Sequence, residues 1–169
     1  MGWSVTGGGD EADFTAAMRA SRDFHHPWIA MPETPEAFAE YLERAARPTV
    51  AAFVVRRHED RAVAGFMTIS EIIRGKLQSA VLGYGGVAGM DGRGYMAAAM
   101  RLLLREAFTT LELHRLEANI QPGNTASIAL ARAAGFRREG FSPHYLTVDG
   151  AWRDHERWAI TAEQWRAGG

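Results

Sequence analysis

The clearest candidates for binding a ligand are two glycines, Gly92 and Gly94, which stand immediately before a segment with helical periodicity. Glycine lets the backbone turn tightly and present N–H groups without obstruction by a side chain. A helix that begins at Tyr95 adds the positive end of its dipole at the same point. Together these features favour the binding of a phosphate or pyrophosphate group at this loop.

The same loop also matches a dinucleotide-binding fingerprint. Residues 92–97 read G-R-G-Y-M-A, which fits the pattern G-x-G-x-x-A, and an acidic residue, Glu112 or Glu117, follows roughly 20 residues later. That fingerprint normally opens its domain and is followed by further strand–helix units. Here several predicted elements precede the loop and mostly strands follow it, so nicotinamide or flavin binding is the weaker alternative.

The elements that must position this loop can be read from hydrophobic periodicity, caps and turns. Before the loop, the predicted helices cover residues 10–24 and 35–47, and the predicted strands cover residues 49–56, 62–73 and 79–87. After the loop, helices are predicted over residues 95–111 and 125–134, and strands over residues 114–120, 137–141 with 145–148, and 155–160. Residues 1–9 are either flexible or a degenerate first strand. This order predicts an α/β (α+β) domain built around a single sheet.

Composition and charge exclude several classes of protein. The length of 169 residues suits one domain, which we expect to cover residues 1–169. The chain has no cysteine, which excludes disulfides, a cysteine nucleophile and a cysteine-based zinc site. A net charge of −1 provides no basic field for nucleic acid, and no apolar run is long enough to span a bilayer. Without a signal-peptide pattern at the N-terminus, we expect a cytoplasmic protein with no nucleic-acid or membrane partner.

Four motifs together carry a more specific resemblance. They are D-G-R-G-Y-M at 91–96, H-R-L-E-A-N at 114–119, P-G-N-T-A-S at 122–127 and A-G-F at 134–136. In order and spacing they resemble the GNAT superfamily of N-acetyltransferases and, within it, the Rim type, which acetylates the N-termini of ribosomal proteins. The resemblance extends over roughly residues 10–165, and further matching motifs lie near residues 21–35 and 139–155.

This resemblance implies a fold and a ligand. The fold is a single mixed, mostly antiparallel sheet flanked by helices, with acetyl-CoA in a V-shaped gap between the strand ending at Val87 and the strand over residues 114–120. The resemblance implies that the coenzyme is bound by Gly86, Val87, Ala88, Gly92, Arg93, Gly94, Tyr95, Met96, Asn119, Asn124 and Ser127. It implies that Ser127 is also catalytic, as the proton donor to the departing thiol. A first-turn serine that bonds the backbone is the structural alternative for Ser127.

The sequence departs from the family pattern at four positions. Asp91 and Met96 replace the usual first and last residues of the pyrophosphate motif, and Asp91 is unfavourable beside phosphates unless it faces solvent or caps the helix. The glutamate base and the tyrosine acid of many relatives align with Ala80 and Ala131, so neither is present. Glu71, Glu139, Tyr145 and His155 are the candidates for a base that acts through water.

The missing base bears on the acceptor. An α-amine has an ordinary pKa of about 7.7–8.0 and a lysine side chain of about 10.4, so an α-amine needs about 3.4 kcal/mol less help to become neutral. We therefore expect the acceptor to be a protein or peptide N-terminus or another weakly basic small-molecule amine. With no cysteine in the chain, direct transfer in a ternary complex is the natural mechanism. The resemblance places Trp28, Tyr145 and Trp152 around the acceptor slot, although core packing is the alternative for each.

Two further expectations complete the hypothesis. His25, His26, His114, His144 and His155 are scattered without the spacing of a zinc motif, so we expect no metal and interpret them as surface, capping or core residues. The protein is expected to be a monomer or a homodimer. Because both usual acid–base residues are absent, a GNAT-fold module that binds acyl-CoA without catalysis remains the alternative function.

Overall fold

The computed structural model describes residues 2–168, with side chains described from Thr6 onward, so the predicted domain limits Met1 and Gly169 lie outside it. The strands are β1 (Gly2–Val5), β2 (Ala51–Arg56), β3 (Val63–Ile73), β4 (Ser79–Gly86), β5 (Arg115–Ile120), β6 (Arg137–Val148) and β7 (Ala151–Thr161). The helices are α1 (Glu11–Ala20), α2 (Arg22–His25), α3 (Pro35–Ala45), α4 (Tyr95–Arg105), α5 (Thr125–Ala133) and α6 (Ala162–Gly168). A 3₁₀ turn (Gly8–Asp10) precedes α1, and a π-helical turn (Glu106–Thr110) continues α4.

Within the described residues, seven strands form one sheet in the order β1-β2-β3-β4-β5-β7-β6. Neighbouring strands are antiparallel, except that β4 and β5 run parallel. This arrangement confirms the predicted single mixed, mostly antiparallel sheet flanked by helices. It does not contain the succession of parallel strands that a dinucleotide-binding domain would need.

The sheet has a hydrophobic core on each of its two faces. Phe53 of β2 belongs to the core that α4 covers, and the next residue, Val54, belongs to the core that α1 and α3 cover, as strand alternation requires. The apolar stripe predicted on the helix after the glycine loop lies in the first of these cores, where its buried members are Met100, Leu103, Leu104, Ala107 and Phe108. Packing of this stripe fixes the start of α4 beside the sheet.

The N-terminal helix predicted over residues 10–24 is instead two helices, because the chain bends at Ser21. Ser21 is fully buried, and its hydroxyl oxygen accepts a hydrogen bond of 3.0 Å from the N–H of Ala88. These two residues are 67 positions apart in the sequence. The bend is therefore held by a tertiary contact that local periodicity cannot reveal.

The C-terminal part of the sheet also differs from the prediction. The segments predicted as two short strands form one strand, β6, with a shift in its pairing to β7 between Ser142 and Leu146. Helix α6 was not predicted; its Trp165 ring lies 5.5 Å, between centroids, from that of Phe108. At the other end of the sheet, β1 pairs with β2 as an edge strand.

A buried cation anchors the beginning of α1 to β2. Arg56, which is 7% exposed, donates hydrogen bonds to Oδ1 of Asp10 at 2.7 Å and to Oδ2 of Asp13 at 2.5 Å. It also donates to the carbonyl oxygen of Arg61 at 2.7 Å. The hydrogen bond from Arg56 holds the pKa of Asp13 below its ordinary value.

Replacing Arg56 with methionine is expected to lower the free energy of unfolding by about 2–3 kcal/mol, because Asp10, whose side chain is mostly buried, and Asp13, which is exposed, lose their buried counter-charge. A lowered pKa in the folded state stabilises the protein above the ordinary aspartate pKa, and this stabilisation is lost as the pH falls through the lowered value. In urea unfolding, the difference in the free energy of unfolding between wild type and variant should therefore become smaller as the pH falls below about 4.

The matched control for this prediction is Arg57→Met. Arg57 pairs with Asp60 on the surface, where ion pairs contribute little, so its loss should leave the free energy of unfolding nearly unchanged. Equal losses in the two variants would show that burial of Arg56 is not what makes it stabilising.

Candidate active site

The sheet opens into a V between its two parallel strands. β4 and β5 pair only as far as Val81 and Glu117, although β4 continues to Gly86 and β5 to Ile120. Beyond the last pair, the facing edges of the two strands are separated. The V-shaped gap predicted for this fold is therefore present.

The pairing of β4 with β3 decides which backbone groups face this gap. The N–H of Val87 donates to the carbonyl oxygen of Ala64 on the β3 side, at 3.1 Å. Backbone groups of an antiparallel strand point alternately to its two sides. Those of Tyr84 and Gly86 therefore point into the gap, where an extended ligand could bond to them as an added strand.

The glycine loop ends in an open helix N-terminus. Gly92 and Gly94 have φ values of +70° and +80°, in the left-handed region that favours glycine. Gly94 precedes the first residue of α4, Tyr95, and no side chain caps this helix. The first N–H groups of α4 have no intrahelical partner and are free to bind an anion.

A cavity of about 360 Å³ joins the gap to the glycine loop. Its walls come from five parts of the chain, one of them Ala64 of β3, and its lining is largely apolar. The lining residues include Phe24, His25, Trp28 and Ile29 from the α2 region; Tyr84, Gly85 and Gly86 from β4; Met90, Asp91, Gly92, Gly94, Tyr95 and Met96 from the loop and α4; and Asn124, Ala126, Ser127 and Leu130 from α5.

Two hydroxyl groups meet inside this cavity. The hydroxyl of Ser127 donates to the phenol oxygen of Tyr84 at 2.9 Å, and the phenol donates in turn to the carbonyl oxygen of Ser127 at 2.9 Å. Burial raises the pKa of Tyr84 to about 12, so the phenol keeps its proton at neutral pH. The Ser127 hydroxyl thus bonds another side chain rather than the backbone, and the pair can pass a proton to a group in the cavity.

Asn124 sets the position of Ser127. Its side-chain oxygen accepts from the N–H of Ser127 at 3.2 Å and caps α5, in the sense expected for an asparagine before a helix. The amide nitrogen of Asn124 makes no hydrogen bond within the described residues, and the side chain lines the cavity. Asn124 therefore has donors available for a ligand in the gap.

The segment after α2 crosses the open end of the gap. The carbonyl oxygens of Pro27 and Trp28 accept from the side-chain nitrogen of Gln121, at 2.9 and 3.3 Å. The Trp28 ring lies against Gly123 in the turn that follows β5. On the other side of the gap, Nε2 of His25 lies 2.7 Å from the carbonyl oxygen of Gly86. The segment is thus attached to both strands that form the V.

Comparison with known proteins decides the family. Residues 8–137, more than half of the chain, match the family described as the acetyltransferase (GNAT) domain. The chain belongs to the GNAT acetyltransferase family.

Individual relatives agree with this assignment. This GNAT chain is 36% identical over 121 residues to "Probable N-acetyltransferase YjcK" of Bacillus subtilis, covering 72% of this chain and 67% of that protein. It is 34% identical over 110 residues to the ribosomal protein uS5-alanine N-acetyltransferase of Escherichia coli, covering 65% of this chain but only 57% of that enzyme. The structure of Mycobacterium smegmatis RimJ in complex with CoA-disulfide has a TM-score of 0.87 and 34% identity, covering 96% of this chain and 82% of RimJ.

These matches confirm the predicted Rim-like GNAT resemblance and the prediction of an N-acetyltransferase enzyme. Among residues 2–168, none of the helices is long and apolar enough to cross a membrane. The same residues hold no cluster of three or more side chains suited to a metal ion.

The structure brings together most residues that the GNAT resemblance implied for coenzyme binding, but not all of them. Gly86, Gly92, Gly94, Tyr95, Met96, Asn124 and Ser127 line the cavity. The N–H groups of Val87 and Ala88 already donate to Ala64 and Ser21, and Arg93 is exposed outside the lining. On the edge of β4 the cavity is lined by Tyr84, whose backbone groups point the same way as those of Gly86, and not by Val87 or Ala88.

Asn119 lies on the other face of the sheet. Its neighbours Ala118 and Ile120 point into the core that α4 covers, so the Asn119 side chain points away from the Tyr84–Ser127 pair. Its side-chain oxygen is sealed from solvent and has no hydrogen-bond partner among the described residues. Contact with the coenzyme stays a prediction for this residue, whose side chain lies on the face of the sheet opposite the Tyr84–Ser127 pair.

The four departures from the GNAT pattern have structural explanations. Asp91 is exposed at the rim of the cavity and caps no helix, so water can solvate its charge beside the phosphate loop. The Met96 side chain packs beneath Gly65 and Gly86 as part of the core. Ala80 and Ala131 are buried in that core as well, so nothing at these two positions replaces the usual base or acid.

Of the aromatic residues predicted at the acceptor slot, only Trp28 lines the cavity. Tyr145 packs against His155, with ring centroids 6.3 Å apart, and beneath the guanidinium of Arg157. Trp152 is 64% exposed on β7. Their contact with an acceptor stays a prediction, and the cavity supports it for Trp28 alone.

The predicted candidates for a water-relayed base do not line the cavity either. Glu139 is ion-paired with Arg115, Glu71 is exposed on β3, and His155 bonds the carbonyl oxygen of Arg153. Sequence reasoning missed two polar residues that do line it, Tyr84 and His25. Tyr84 could have been found from the sequence, because it continues the alternation of β4 residues that point into the core, where a phenol is unusual. His25 could not.

Proposed function

We propose that this GNAT protein transfers an acetyl group from acetyl-CoA to the α-amine of a protein or peptide N-terminus, directly within a ternary complex. The observation that carries the proposal is the Tyr84–Ser127 hydroxyl pair, which lies where the V-shaped gap meets the cavity behind the glycine loop. A proton-donating pair at this place is what departure of a thiol requires.

The residues present fit coenzyme A. The free N–H groups at the start of α4, after Gly92 and Gly94, suit a pyrophosphate. The backbone of Tyr84 and the N–H of Gly86 suit the amide groups of a pantetheine arm, with the unbonded amide nitrogen of Asn124 opposite; the carbonyl oxygen of Gly86 is bonded to His25. Bound acetyl-CoA supplies an acetyl group activated as a thioester. The structure of M. smegmatis RimJ, which is 34% identical to this chain, is a complex with CoA-disulfide and supports this choice of ligand.

Within this chain, the roles follow from position. The Ser127 hydroxyl protonates the departing sulfur and takes a proton in return from the attacking nitrogen. The Tyr84 phenol, which stays neutral because burial raises its pKa to about 12, holds that hydroxyl in position. No residue serves as a covalent acetyl carrier, because the chain has no cysteine. Trp28 and the rest of the segment attached to Gln121 shield this chemistry from water on the acceptor side.

The choice of an α-amine rests on energetics and on one relative. With Ala80 in place of a carboxylate base, an amine that ionises at about 7.7–8.0 is favoured over one at about 10.4. The E. coli relative, of whose length the match spans 57%, is named for acetylating an alanine of ribosomal protein uS5. Both support a protein N-terminus as the acceptor.

A thiol-release assay with acetyl-CoA tests the proposal. At pH 7.5, peptides with free N-termini should be acetylated at least 10-fold faster, in kcat/KM, than the same peptides blocked at the N-terminus and offering one lysine, because the lysine amine is mostly protonated. Polyamines serve as comparison acceptors in this assay, and NAD is compared with acetyl-CoA in thermal shift. Fast turnover on lysine with none on N-termini would overturn the α-amine assignment. Binding of acetyl-CoA in thermal shift without any turnover would favour the non-catalytic acyl-CoA module.

A further inference from the structure

His25 holds an unusual position for a histidine without an assigned role. It is 5% exposed, and the little surface it retains faces the cavity that holds the Tyr84–Ser127 pair. Its ring packs edge-on to Phe66, with centroids 6.0 Å apart, and beside Phe24. The ring is therefore fixed in orientation by apolar neighbours on two sides.

The two ring nitrogens of His25 have different surroundings. Nε2 lies 2.7 Å from the carbonyl oxygen of Gly86, which can only accept a hydrogen bond, so Nε2 carries the proton in the neutral ring. Nδ1 is then the unprotonated nitrogen. It has no hydrogen-bond partner in the described residues, yet it is not among the polar atoms sealed from solvent. The ring that lines the cavity thus carries one nitrogen without a hydrogen-bond partner among the described residues.

We propose that Nδ1 of His25 is the base that takes the proton from the acceptor's ammonium group. The proposal rests on the function proposed above and supplies the base that Ala80 cannot. The carbonyl of Gly86 points into the gap, so the bond from Nε2 places the imidazole at the edge of the strand that would bind the thioester arm. Imidazole suits this task, because it is the side chain that exchanges protons near neutral pH.

The step balances as follows. The ammonium gives one proton to Nδ1, and the freed lone pair forms the N–C bond to the thioester carbonyl carbon. The C–S bond then breaks with its electron pair on sulfur. A second proton from the attacking nitrogen reaches this sulfur through the Ser127 hydroxyl. The imidazolium of His25 releases its proton to solvent, so one proton is liberated for each amide formed.

The charged and titratable groups around His25 come from several parts of the fold. Glu33, on the segment before α3, interacts electrostatically with His25 and is held by Arg22. Asp91, on the glycine loop, lies at the rim of the same cavity. Two phenols, Tyr84 of β4 and Tyr95 of α4, complete the titratable groups of its lining beside His25. Glu33 therefore acts electrostatically on the imidazole, whereas Asp91 lies at the glycine-loop end of the cavity.

The test is the pH dependence of kcat for His25→Gln on an N-terminal peptide. Glutamine can keep an N–H directed at Gly86 but has no nitrogen that accepts a proton. At pH 7 an α-amine is roughly 10–15% neutral, so the kcat of the variant is expected to be about 10-fold below that of wild type. At pH 9 the amine is mostly neutral, so the kcat of the variant should lie within about twofold of wild type. His26→Gln, an exposed neighbour, should follow the wild-type profile throughout.

Two kinetic results would overturn the role of His25 as the base. One is a wild-type rate for His25→Gln at pH 7. The other is a deficit in kcat that is constant from pH 6.5 to 9, which would indicate a positioning role.

Nitrogen-15 NMR of the imidazole, with CoA bound, gives a readout that needs no turnover. The neutral ring must carry its proton on Nε2, and a proton on Nδ1 contradicts the proposal. If wild type transfers to no α-amine at all, the proposed function itself fails, which is a different outcome from equal transfer by wild type and variant.

Discussion

Replacing Ser127 with alanine is expected to lower kcat for N-terminal acetylation by about 100-fold, the usual loss when a positioned proton donor is removed. The KM for acetyl-CoA should change less than about threefold, because the backbone and helix N-terminus that would hold the coenzyme are untouched. Steady-state kinetics on one peptide at pH 7.5 measures both quantities. A variant that retains more than a third of the wild-type kcat would remove Ser127 from the mechanism.

Tyr84→Phe tests whether the two hydroxyls act together. The phenol both accepts from Ser127 and fixes its backbone, so its loss should also reduce kcat, and the double variant should be little slower than Ser127→Ala alone. Thr125→Ala changes an exposed residue in the first turn of the same helix; it is the matched control and should leave kcat unchanged. Fully additive losses would show that Tyr84 and Ser127 act independently.

Replacing Gly94 with valine is expected to weaken CoA binding by about 100-fold, or about 2.7 kcal/mol. The φ of +80° at Gly94 is strained for a β-branched residue, and the added side chain would project into open space at the start of α4, where the phosphates would lie. Isothermal titration with CoA gives the affinity directly and does not depend on the acceptor.

The control for this substitution is Gly75→Val. Gly75 has a φ of +74° and open surroundings in the turn between β3 and β4, so it shares the backbone strain but lies away from the cavity. Both variants should lose similar stability, about 1–2 kcal/mol, while only Gly94→Val loses affinity. Equal CoA affinities in the two variants would mean that the loop does not bind the phosphates.

The parts of the fold that local patterns encode could be predicted from the sequence. The apolar stripe from Met100 to Phe108 identified α4, and alternation in residues 114–120 identified β5. What failed depends on contacts far along the chain. The bend at Ser21 is held by Ala88, and α6 depends on the packing of Trp165 against Phe108. No window of ten or so residues contains both partners of either contact.

The candidate site divides in the same way. The glycine loop and Asn124 could be predicted because each acts through its own local backbone, as a turn and as a helix cap. His25 could not, because its environment is created by Gly86 and Phe66, which the fold brings from other strands. In the sequence it is simply a histidine before His26 and Pro27, where a helix ends.

The short parallel pairing between β4 and β5 has a consequence for the cohesion of the sheet. It divides the sheet into two antiparallel leaves, β1 to β4 and β5 to β7, that share three residue pairs ending at Val81 and Glu117. Under the proposed function, a ligand in the V-shaped gap would supply hydrogen bonds that the two strands lack there, much as an extra stretch of strand would. Binding of that ligand would then add to the cohesion that the shared core already gives the two parts of the sheet.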